Sequence, residues 1–288
     1  MSRVEITKKG YHEYYKNIMG WIDELQIFER IVPGYVQLYC FLRHLARYNF
    51  AINFVKGKTV LDVGCGAGYG TYHLAKCGAK KVIGIDISDE AIRFAKRNYI
   101  LENLEFRVMD IMDTAVIFDK YFDVIIAFEV IEHVSDQERF LLTLKNLLKE
   151  KGLLILSTPN KQFSTKKNPY HIKEYDLEEL LEVLRSYFTI KEIYGQKKPE
   201  YKNKDKKYKD SMRFNIRKYI PLKIRSAIRP IIESINLRVK LSDVLTYYKN
   251  SRVFEDNIKR VPKRFLPVKI DKKLAHLYEI LIVICEAD

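Results

Sequence analysis

The sequence is poor in cysteine and tryptophan, and it has no long apolar run. Its 288 residues include four cysteines and one tryptophan. The cysteines, at positions 40, 65, 77 and 285, form no CxxC pair, so they indicate neither a disulfide framework nor a zinc site. No apolar segment approaches the roughly 18 residues of a membrane span, and the first residues lack the apolar core of a secretory signal. We therefore expect a cytoplasmic protein with reduced thiols.

Acidic residues are outnumbered, most strongly in one stretch. The chain has 51 Lys and Arg against 37 Asp and Glu, a net charge of +14. Between Lys197 and Arg229 there are 13 basic and 3 acidic residues. Such an excess indicates contact with an anionic membrane surface or an anionic substrate. A nucleic acid is the weaker alternative, because no RNP-like aromatic motif accompanies the charge. General solubility, or a genome biased toward isoleucine and lysine, is the alternative explanation of the charge.

Short apolar runs alternate with helical patterns between Gly57 and Gln196. The runs are rich in Val and Ile, as is typical of strands buried on both faces. A further run, Ile280–Cys285, predicts a last strand near the end of the sequence. The alternation predicts an α/β fold with a doubly wound, mostly parallel sheet. The predicted strands are 59–63, 82–85, 106–109, 122–127, 153–157 and 188–193.

Helix signals lie between the strand-like runs. They comprise an N-cap, two capping-box pairs and a glycine that predicts a helix end. The residues are Ser88, the pairs Ser135 with Glu138 and Asp176 with Glu179, and Gly152.

Four segments follow from these patterns. Residues 1–56 are predicted to be helical and to cover a ligand cleft. Residues 57–196 form the predicted ligand-binding core, and residues 197–273 form a basic, partly helical insertion. Residues 274–288 supply the last core strand.

A glycine-rich loop follows the first predicted strand. Residues 60–70 read VLDVGCGAGYG, with glycines at 64, 66 and 68. Glycines at the carboxyl end of a strand let a ligand approach the backbone, because no Cβ stands in the way. A dinucleotide fingerprint would need its third glycine at position 69, which is Tyr69, and the Gly-Lys-Ser/Thr ending of a phosphate loop is absent.

Two acidic residues end the next strand-like runs. Asp86 follows Gly64 by 22 residues, a spacing typical of a carboxylate that binds ribose hydroxyls. Asp110 ends the following run, where a carboxylate can accept a hydrogen bond from the exocyclic amine of a base. Each alone could be an ordinary turn residue. The loop and both acids together predict a nucleoside pocket.

These motifs, with FDVIIAFEVIEH at 122–133, resemble those of class I S-adenosylmethionine-dependent methyltransferases. The resemblance spans roughly residues 28–196. It implies a Rossmann-like, seven-stranded sheet whose last strand is antiparallel, with N-terminal helices and the basic insertion before that strand. It also implies S-adenosylmethionine as cofactor. The implied cofactor-binding residues are Asp62, Gly64, Cys65, Gly66, Gly68, Asp86, Ile87, Asp110, Ile111 and Phe128.

The resemblance also implies roles for these residues. The three glycines would contact the methionine and ribose parts of the cofactor, and Asp62 would lie near the methionine amine. Asp86 would bind the ribose hydroxyls, and Asp110 with Ile111 would face the adenine.

Other segments resemble a bacterial and archaeal subgroup that is often associated with modification of sugars and glycans. They include His44-Leu-Ala-Arg47-Tyr48 and Asn168-Pro-Tyr-His171. The leading hypothesis is O-methylation of a sugar hydroxyl in a glycan or a lipid-linked saccharide. RNA 2′-O-methylation and methylation of a quinone precursor or another small molecule are the alternatives.

His133 and Glu129 are the candidate catalytic residues. Histidine suits a general base near neutral pH. Glu129, Glu132 and His133, with His171, also resemble the cluster of metal-dependent relatives. A divalent metal there is the less favoured interpretation, since a similar cluster occurs in relatives without known metal.

Two further alternatives remain open at this stage. A non-enzymatic module would keep the fold without turnover, although the intact motifs argue against it. An NAD-dependent oxidoreductase conflicts with Tyr69. The sequence does not fix the oligomeric state.

Overall fold

The computed structural model describes residues 38–116, 118–163, 168–197, 261 and 263–288. The predicted helices before residue 38, and most of the basic insertion, lie outside the described residues. Within the described residues, no helix is both long enough and apolar enough to cross a membrane.

One sheet of eight strands organises the described residues, in the order β3-β2-β1-β4-β5-β8-β6-β7. The pairs from β3 to β5 are parallel, and β8 runs antiparallel between β5 and β6. The Rossmann-like sheet with an antiparallel last strand is thus confirmed. A two-residue strand, β7, extends it at the edge of β6. The strands are β1 Thr59–Val63, β2 Lys81–Asp86, β3 Leu104–Val108, β4 Phe122–Phe128, β5 Leu148–Pro159, β6 Thr189–Gln196, β7 Val268–Lys269 and β8 Ile280–Glu286.

Five described α-helices cover the two faces of the sheet. Because side chains alternate along a strand, neighbouring residues contribute to different cores. Leu61 packs with α4 and α5, whereas Val60 packs with α1, α2 and α3. The helices are α1 Leu38–Val55, α2 Tyr69–Lys76, α3 Asp89–Asn98, α4 Gln137–Leu147 and α5 Leu177–Arg185.

Two of the predicted helix starts are confirmed. The Ser88 hydroxyl accepts a hydrogen bond from the Ala91 N–H at the start of α3. Asp176 and Glu179 form a capping box at the start of α5, with the side chain of each accepting from the backbone of the other. Both pairs satisfy amides that have no partner within the helix.

The start and the end of α4 were predicted wrongly. Asp136, not Ser135, is its N-cap, because the Asp136 carboxylate accepts from the Arg139 N–H. The helix ends at Leu147, and Leu148 is already extended as the first residue of β5. Gly152 lies inside β5, where a Cβ would come within 2.8 Å of the Lys149 carbonyl oxygen. A close backbone approach, not a helix end, therefore explains this glycine.

Candidate functional site

The glycine loop connects β1 to α2 at the carboxyl edge of the sheet. Its three glycines have positive φ angles of 66°, 52° and 80° at Gly64, Gly66 and Gly68. The Cys65 N–H donates to the Ile85 carbonyl oxygen at 2.9 Å, which ties the loop to the end of β2. Side chains rarely adopt this left-handed backbone, so the sequence needs glycine at all three positions.

The surroundings of the three glycines differ. A Cβ at Gly64 would lie 2.8 Å from Val130, and one at Gly68 would lie 2.5 Å from Ala95. A Cβ at Gly66 would meet no atom within 4 Å. Gly64 and Gly68 therefore allow the loop to pack against the protein, whereas Gly66 leaves space in front of its backbone.

Asp86 ends β2 beside this open position. Its carboxylate accepts from the N–H of Gly66 and from the N–H of Ser88, each at 2.9 Å. The side chain is buried, with only 6% exposed. The two amides fix the orientation of the carboxylate at the loop, as its predicted role requires.

The other residues predicted to contact adenosine lie at the next strand end. The Asp86 carbonyl oxygen accepts from the Met109 N–H at 3.0 Å, which brings the segment after β3 alongside β2. Asp110 is exposed and accepts from the Met112 N–H. Ile111 is buried, whereas Ile87 is 71% exposed. Ile87, directly after the fixed Asp86 carboxylate, offers an exposed apolar surface to a flat base.

Asp62 lies deeper, on β1, and is fully buried. Its carboxylate accepts from the Thr71 hydroxyl at 2.6 Å and from the Tyr48 hydroxyl at 3.2 Å. Burial raises the pKa of Asp62 to about 7, although both hydrogen bonds act in the opposite direction. Asp62 therefore joins α1 and α2 to β1. Its predicted place near the methionine amine of the cofactor stays a prediction.

Tyr48 also explains a glycine outside the predicted site. A Cβ at Gly70 would lie 2.1 Å from the Tyr48 ring. The same ring makes edge contacts with Phe128 and Tyr69. Phe128, a predicted cofactor residue, is itself buried. The absence of a side chain at Gly70 thus lets α1 approach the start of α2.

Glu129 follows β4 with a backbone that is unusual for a residue with a side chain. Its φ angle is 57°. The Glu129 N–H donates to the Ser157 carbonyl oxygen, and the Glu129 carboxylate accepts from the Ser157 hydroxyl, both at 2.9 Å. Backbone strain of this kind concentrates at functional sites.

His133 is exposed at the end of a 3₁₀ turn, Ile131–His133. Its Nδ1 lies 3.0 Å from the Tyr170 carbonyl oxygen. Because a carbonyl oxygen only accepts, Nδ1 carries the proton in this contact, and Nε2 of the neutral ring keeps its lone pair. This tautomer suits a base that takes a proton at Nε2.

Glu132, His133 and His171 come together as predicted, with one potential ligand atom of each within 4.8 Å of the others. Glu129 does not belong to this group. Glu132 is buried, and one of its oxygens accepts from the Thr158 hydroxyl, whereas Oε1 has no hydrogen-bond partner. Burial, followed by the charge of Glu129, raises the pKa of Glu132 well above its usual value.

Comparison with known proteins identifies the family of this arrangement. A family model described as a methyltransferase domain matches residues 54–215, more than half of the chain.

The chain belongs to this methyltransferase domain family.

Curated relatives agree with this assignment over part of their length. The chain is 32% identical over 174 residues to a probable S-adenosylmethionine-dependent methyltransferase of Mycolicibacterium smegmatis, covering 58% of this chain and 66% of the relative. It is 39% identical over 110 residues to the human mitochondrial ubiquinone biosynthesis O-methyltransferase, covering 36% and 30% respectively. The chain thus spans under two thirds of these relatives.

Solved structures agree on the fold. A SAM-dependent methyltransferase from Archaeoglobus fulgidus aligns with a TM-score of 0.51 at 19% identity, covering 84% of this chain and 92% of that one. A protein from Listeria monocytogenes described as S-adenosylmethionine-dependent aligns with a TM-score of 0.50 at 15% identity, covering 85% and 98%.

Several residues of this methyltransferase domain were not predicted as part of the site. They are the hydroxyl donors to Asp62, Glu129 and Glu132 and the glycine packed against Tyr48. Tyr48, Gly70 and Ser157 lie in segments already noted from the sequence. No motif assigns any of them a role, because their function depends on side-chain contacts between elements. These residues are Tyr48, Gly70, Thr71, Ser157 and Thr158.

Proposed function

We propose that the chain is an S-adenosylmethionine-dependent O-methyltransferase. The observation that carries the proposal is the open position at Gly66, bordered by the fixed carboxylate of Asp86. The Gly66 backbone would contact the cofactor, Asp86 would bind its ribose hydroxyls, and Asp110 with Ile111 would face its adenine. The cofactor supplies a methyl group on a sulfonium, which is electrophilic without further activation.

The chain's own residues would prepare the acceptor. His133 Nε2 takes the proton of the acceptor hydroxyl, and the Tyr170 carbonyl oxygen stabilises the imidazolium that results. Glu129, held by Ser157, positions the acceptor hydroxyl beside His133 through its carboxylate. Alignment of the hydroxyl and exclusion of water complete the contribution of the protein.

His133→Gln tests the proposed base. We expect methyl transfer to fall by roughly 10²- to 10⁴-fold, as loss of a general base usually does. Binding of S-adenosylhomocysteine should stay unchanged, because His133 does not contact the cofactor in this proposal. His276→Gln, an exposed histidine outside the site, is the matched control. Unchanged turnover by His133→Gln would exclude the assignment.

Two classes of acceptor hydroxyl have support, each from a different observation. The segments His44-Leu-Ala-Arg47-Tyr48 and Asn168-Pro-Tyr-His171 favour a sugar hydroxyl of a glycan or a lipid-linked saccharide. The names of several relatives instead favour a quinone precursor. Tyr170 and Ile172, 54% and 60% exposed beside His133, support an acceptor with an apolar part. Transfer of radiolabelled methyl to saccharide, quinone-precursor and RNA pools would separate these classes.

A metal-assisted version is a second candidate, favoured by the cluster around Glu132. The buried Oε1 of Glu132 lacks a partner, as expected of an atom that binds a cation. His133 and His171 each direct Nδ1 at an oxygen, the Tyr170 carbonyl and the Glu174 carboxylate respectively. Such second contacts orient metal-binding histidines.

A divalent cation in this cluster would act as a Lewis acid on the acceptor oxygen. If this version holds, Mn²⁺ or Zn²⁺ should bind stoichiometrically in calorimetry, and His171→Gln should abolish that binding. Chelator should then remove activity. Full activity in the presence of chelator, together with no cation binding, would exclude the metal-assisted version. His133 would then act as the general base without a metal.

Contact with an anionic membrane surface also stays a proposal, because most of the basic stretch lies outside the described residues. Co-sedimentation with anionic but not with neutral liposomes would support it. Equal behaviour with both lipid types would remove it.

A further inference from the structure

Arg47 on α1 is a buried cation with few partners. Its side chain is 1% exposed. Nη1 donates to the Gln196 side-chain oxygen at 2.9 Å. Among the described residues, Nε and Nη2 find no hydrogen-bond partner and no carboxylate forms an ion pair with Arg47. An arginine stays charged at any physiological pH, so this burial is costly unless an anion completes the site.

The two unpartnered nitrogens have a geometry that selects the anion. Nε and Nη2 lie on the same edge of the planar guanidinium, and their N–H bonds are nearly parallel. This edge forms the two-point fork that binds a carboxylate through both oxygens. The third nitrogen, Nη1, is already held by Gln196, which fixes the plane of the fork.

Arg47 lies on α1 beside a residue that contacts both halves of the candidate site. Burial raises the pKa of Tyr69, directly after the glycine loop, and the charge of Arg47 opposes that shift. The next residue, Tyr48, packs its ring against Tyr69 and against Phe128, which directly precedes Glu129. Arg47 therefore directly precedes a residue of α1 that contacts both the start of α2 and the end of β4.

Native proteins rarely leave buried donors such as Nε and Nη2 of Arg47 unsatisfied. A ligand group that accepts hydrogen bonds is therefore expected at these two nitrogens.

We propose that Arg47 binds a carboxylate through Nε and Nη2 at the inner edge of the site. The inference rests on the proposed function and adds an anion-binding residue to it. The carboxylate comes either from the methionyl end of the cofactor or from the acceptor. In both cases Arg47 contributes orientation as well as affinity, because the fork accepts only one arrangement of the two oxygens.

Truncated ligands distinguish the two sources. Calorimetry would compare S-adenosylhomocysteine with methylthioadenosine, which lacks the amino-acid part. If the cofactor supplies the carboxylate, Arg47→Met weakens S-adenosylhomocysteine binding by about 10- to 150-fold, the usual loss for hydrogen bonds to a charged group. Methylthioadenosine binding should then stay within about twofold and also shows that the variant is folded.

If the acceptor supplies the carboxylate, the nucleosides bind Arg47→Met as they bind the wild type. Protocatechuate, a catechol carboxylate, would then bind the wild type more tightly than its carboxamide does, with or without nucleoside present. Arg47→Met should abolish that preference.

Matched variants separate charge from structure. Arg43→Met removes a cation of the same helix that already pairs with Glu279, and it should leave both ligand preferences unchanged. Arg47→Lys keeps the charge without the fork, and it should lose an intermediate part of the affinity. Arg47→Lys also replaces Arg47→Met in both ligand comparisons if Arg47→Met does not fold.

One result overturns the inference. Arg47→Met, or Arg47→Lys if Arg47→Met does not fold, would then keep the wild-type ratio of affinities for S-adenosylhomocysteine and methylthioadenosine. It would also keep the wild-type ratio for protocatechuate and its carboxamide. Wild-type protein that binds neither nucleoside would instead contradict the proposed function. The catechol pair would then still test Arg47.

Discussion

At the scale of single residues, Gly66 and Gly57 share a backbone conformation but differ in location. Both have positive φ, and a Cβ at either would meet no atom within 4 Å. Substitution by alanine should therefore cost each a similar conformational energy, about 1–2 kcal/mol. Only Gly66 lies in the candidate cofactor loop.

Gly66→Ala should consequently lose affinity for S-adenosylhomocysteine by at least tenfold, whereas Gly57→Ala should not. Calorimetry measures the affinities, and urea unfolding checks that the two variants lose similar stability. Equal affinities in the two variants would show that the space before Gly66 is not the cofactor site.

Asp86 should contribute through its charge. Asp86→Ala is expected to weaken S-adenosylhomocysteine binding by roughly 1–3 kcal/mol, the usual loss for hydrogen bonds to an ionised group. Asp89→Ala, three residues later and exposed, is the control. A dissociation constant that does not change in Asp86→Ala would mean that the ribose lies elsewhere.

Asp62 should make stability depend on pH. Its pKa is about 7 in the folded chain against 3.8 as the ordinary value. Between these values the folded state binds more protons than the unfolded state does. The free energy of unfolding should therefore fall as pH rises, by at most about 1.4 kcal/mol per pH unit, and level off above pH 7.

Asp62→Asn should remove this contribution. We would measure the free energy of unfolding of both proteins by urea unfolding from pH 5 to pH 8. Relative to the wild type, the free energy of unfolding of the variant should increase as pH rises. A difference that stays constant across this range would mean that Asp62 is ionised throughout.

At the scale of elements, the approach of α1 to α2 depends on Gly70. Alanine favours helices by about 1 kcal/mol over glycine, yet a Cβ here would overlap the Tyr48 ring. Gly70→Ala should therefore destabilise the chain by about 1–3 kcal/mol through overpacking. In a Tyr48→Ala background, the same change should be neutral or stabilising.

This double-mutant cycle, measured by urea unfolding, isolates the contact between the two helices. Additive effects of the two substitutions would contradict it. S-adenosylhomocysteine affinity should fall in Gly70→Ala, because α2 begins directly after the cofactor loop.

The elements also show how far the sequence alone can predict structure. Strand positions followed from apolar runs, since burial on both faces dictates their composition. Two helix caps followed from local hydrogen bonding at Ser88 and Asp176. The boundary between α4 and β5 did not follow from the sequence. Gly152 is required by the close approach of the Lys149 carbonyl oxygen and not by a helix end.

The same distinction holds for the site. The tight loop of glycines and the place of Asp86 at the end of β2 could be predicted, because both rest on backbone geometry within short segments. The parts played by Thr71 and Ser157 could not, because each acts through a side-chain contact with a carboxylate outside its own element. Arg47 was visible only as part of a familiar segment, and its unmet hydrogen bonds required the structure.

At the scale of the whole molecule, strand order explains why the site lies where it does. From β1 the chain first adds β2 and β3 on one side and then β4 and β5 on the other. The connections after β1 and β4 therefore leave in opposite directions and open a crevice at the carboxyl edge. Gly66 and Asp86 border this crevice.

The central claim is that S-adenosylmethionine occupies this crevice. A crystal structure with S-adenosylhomocysteine tests it most directly. We expect the ribose hydroxyls on the Asp86 carboxylate and the ligand against the Gly66 backbone. A crevice left empty at saturating ligand, or a ligand bound away from both residues, would contradict the account.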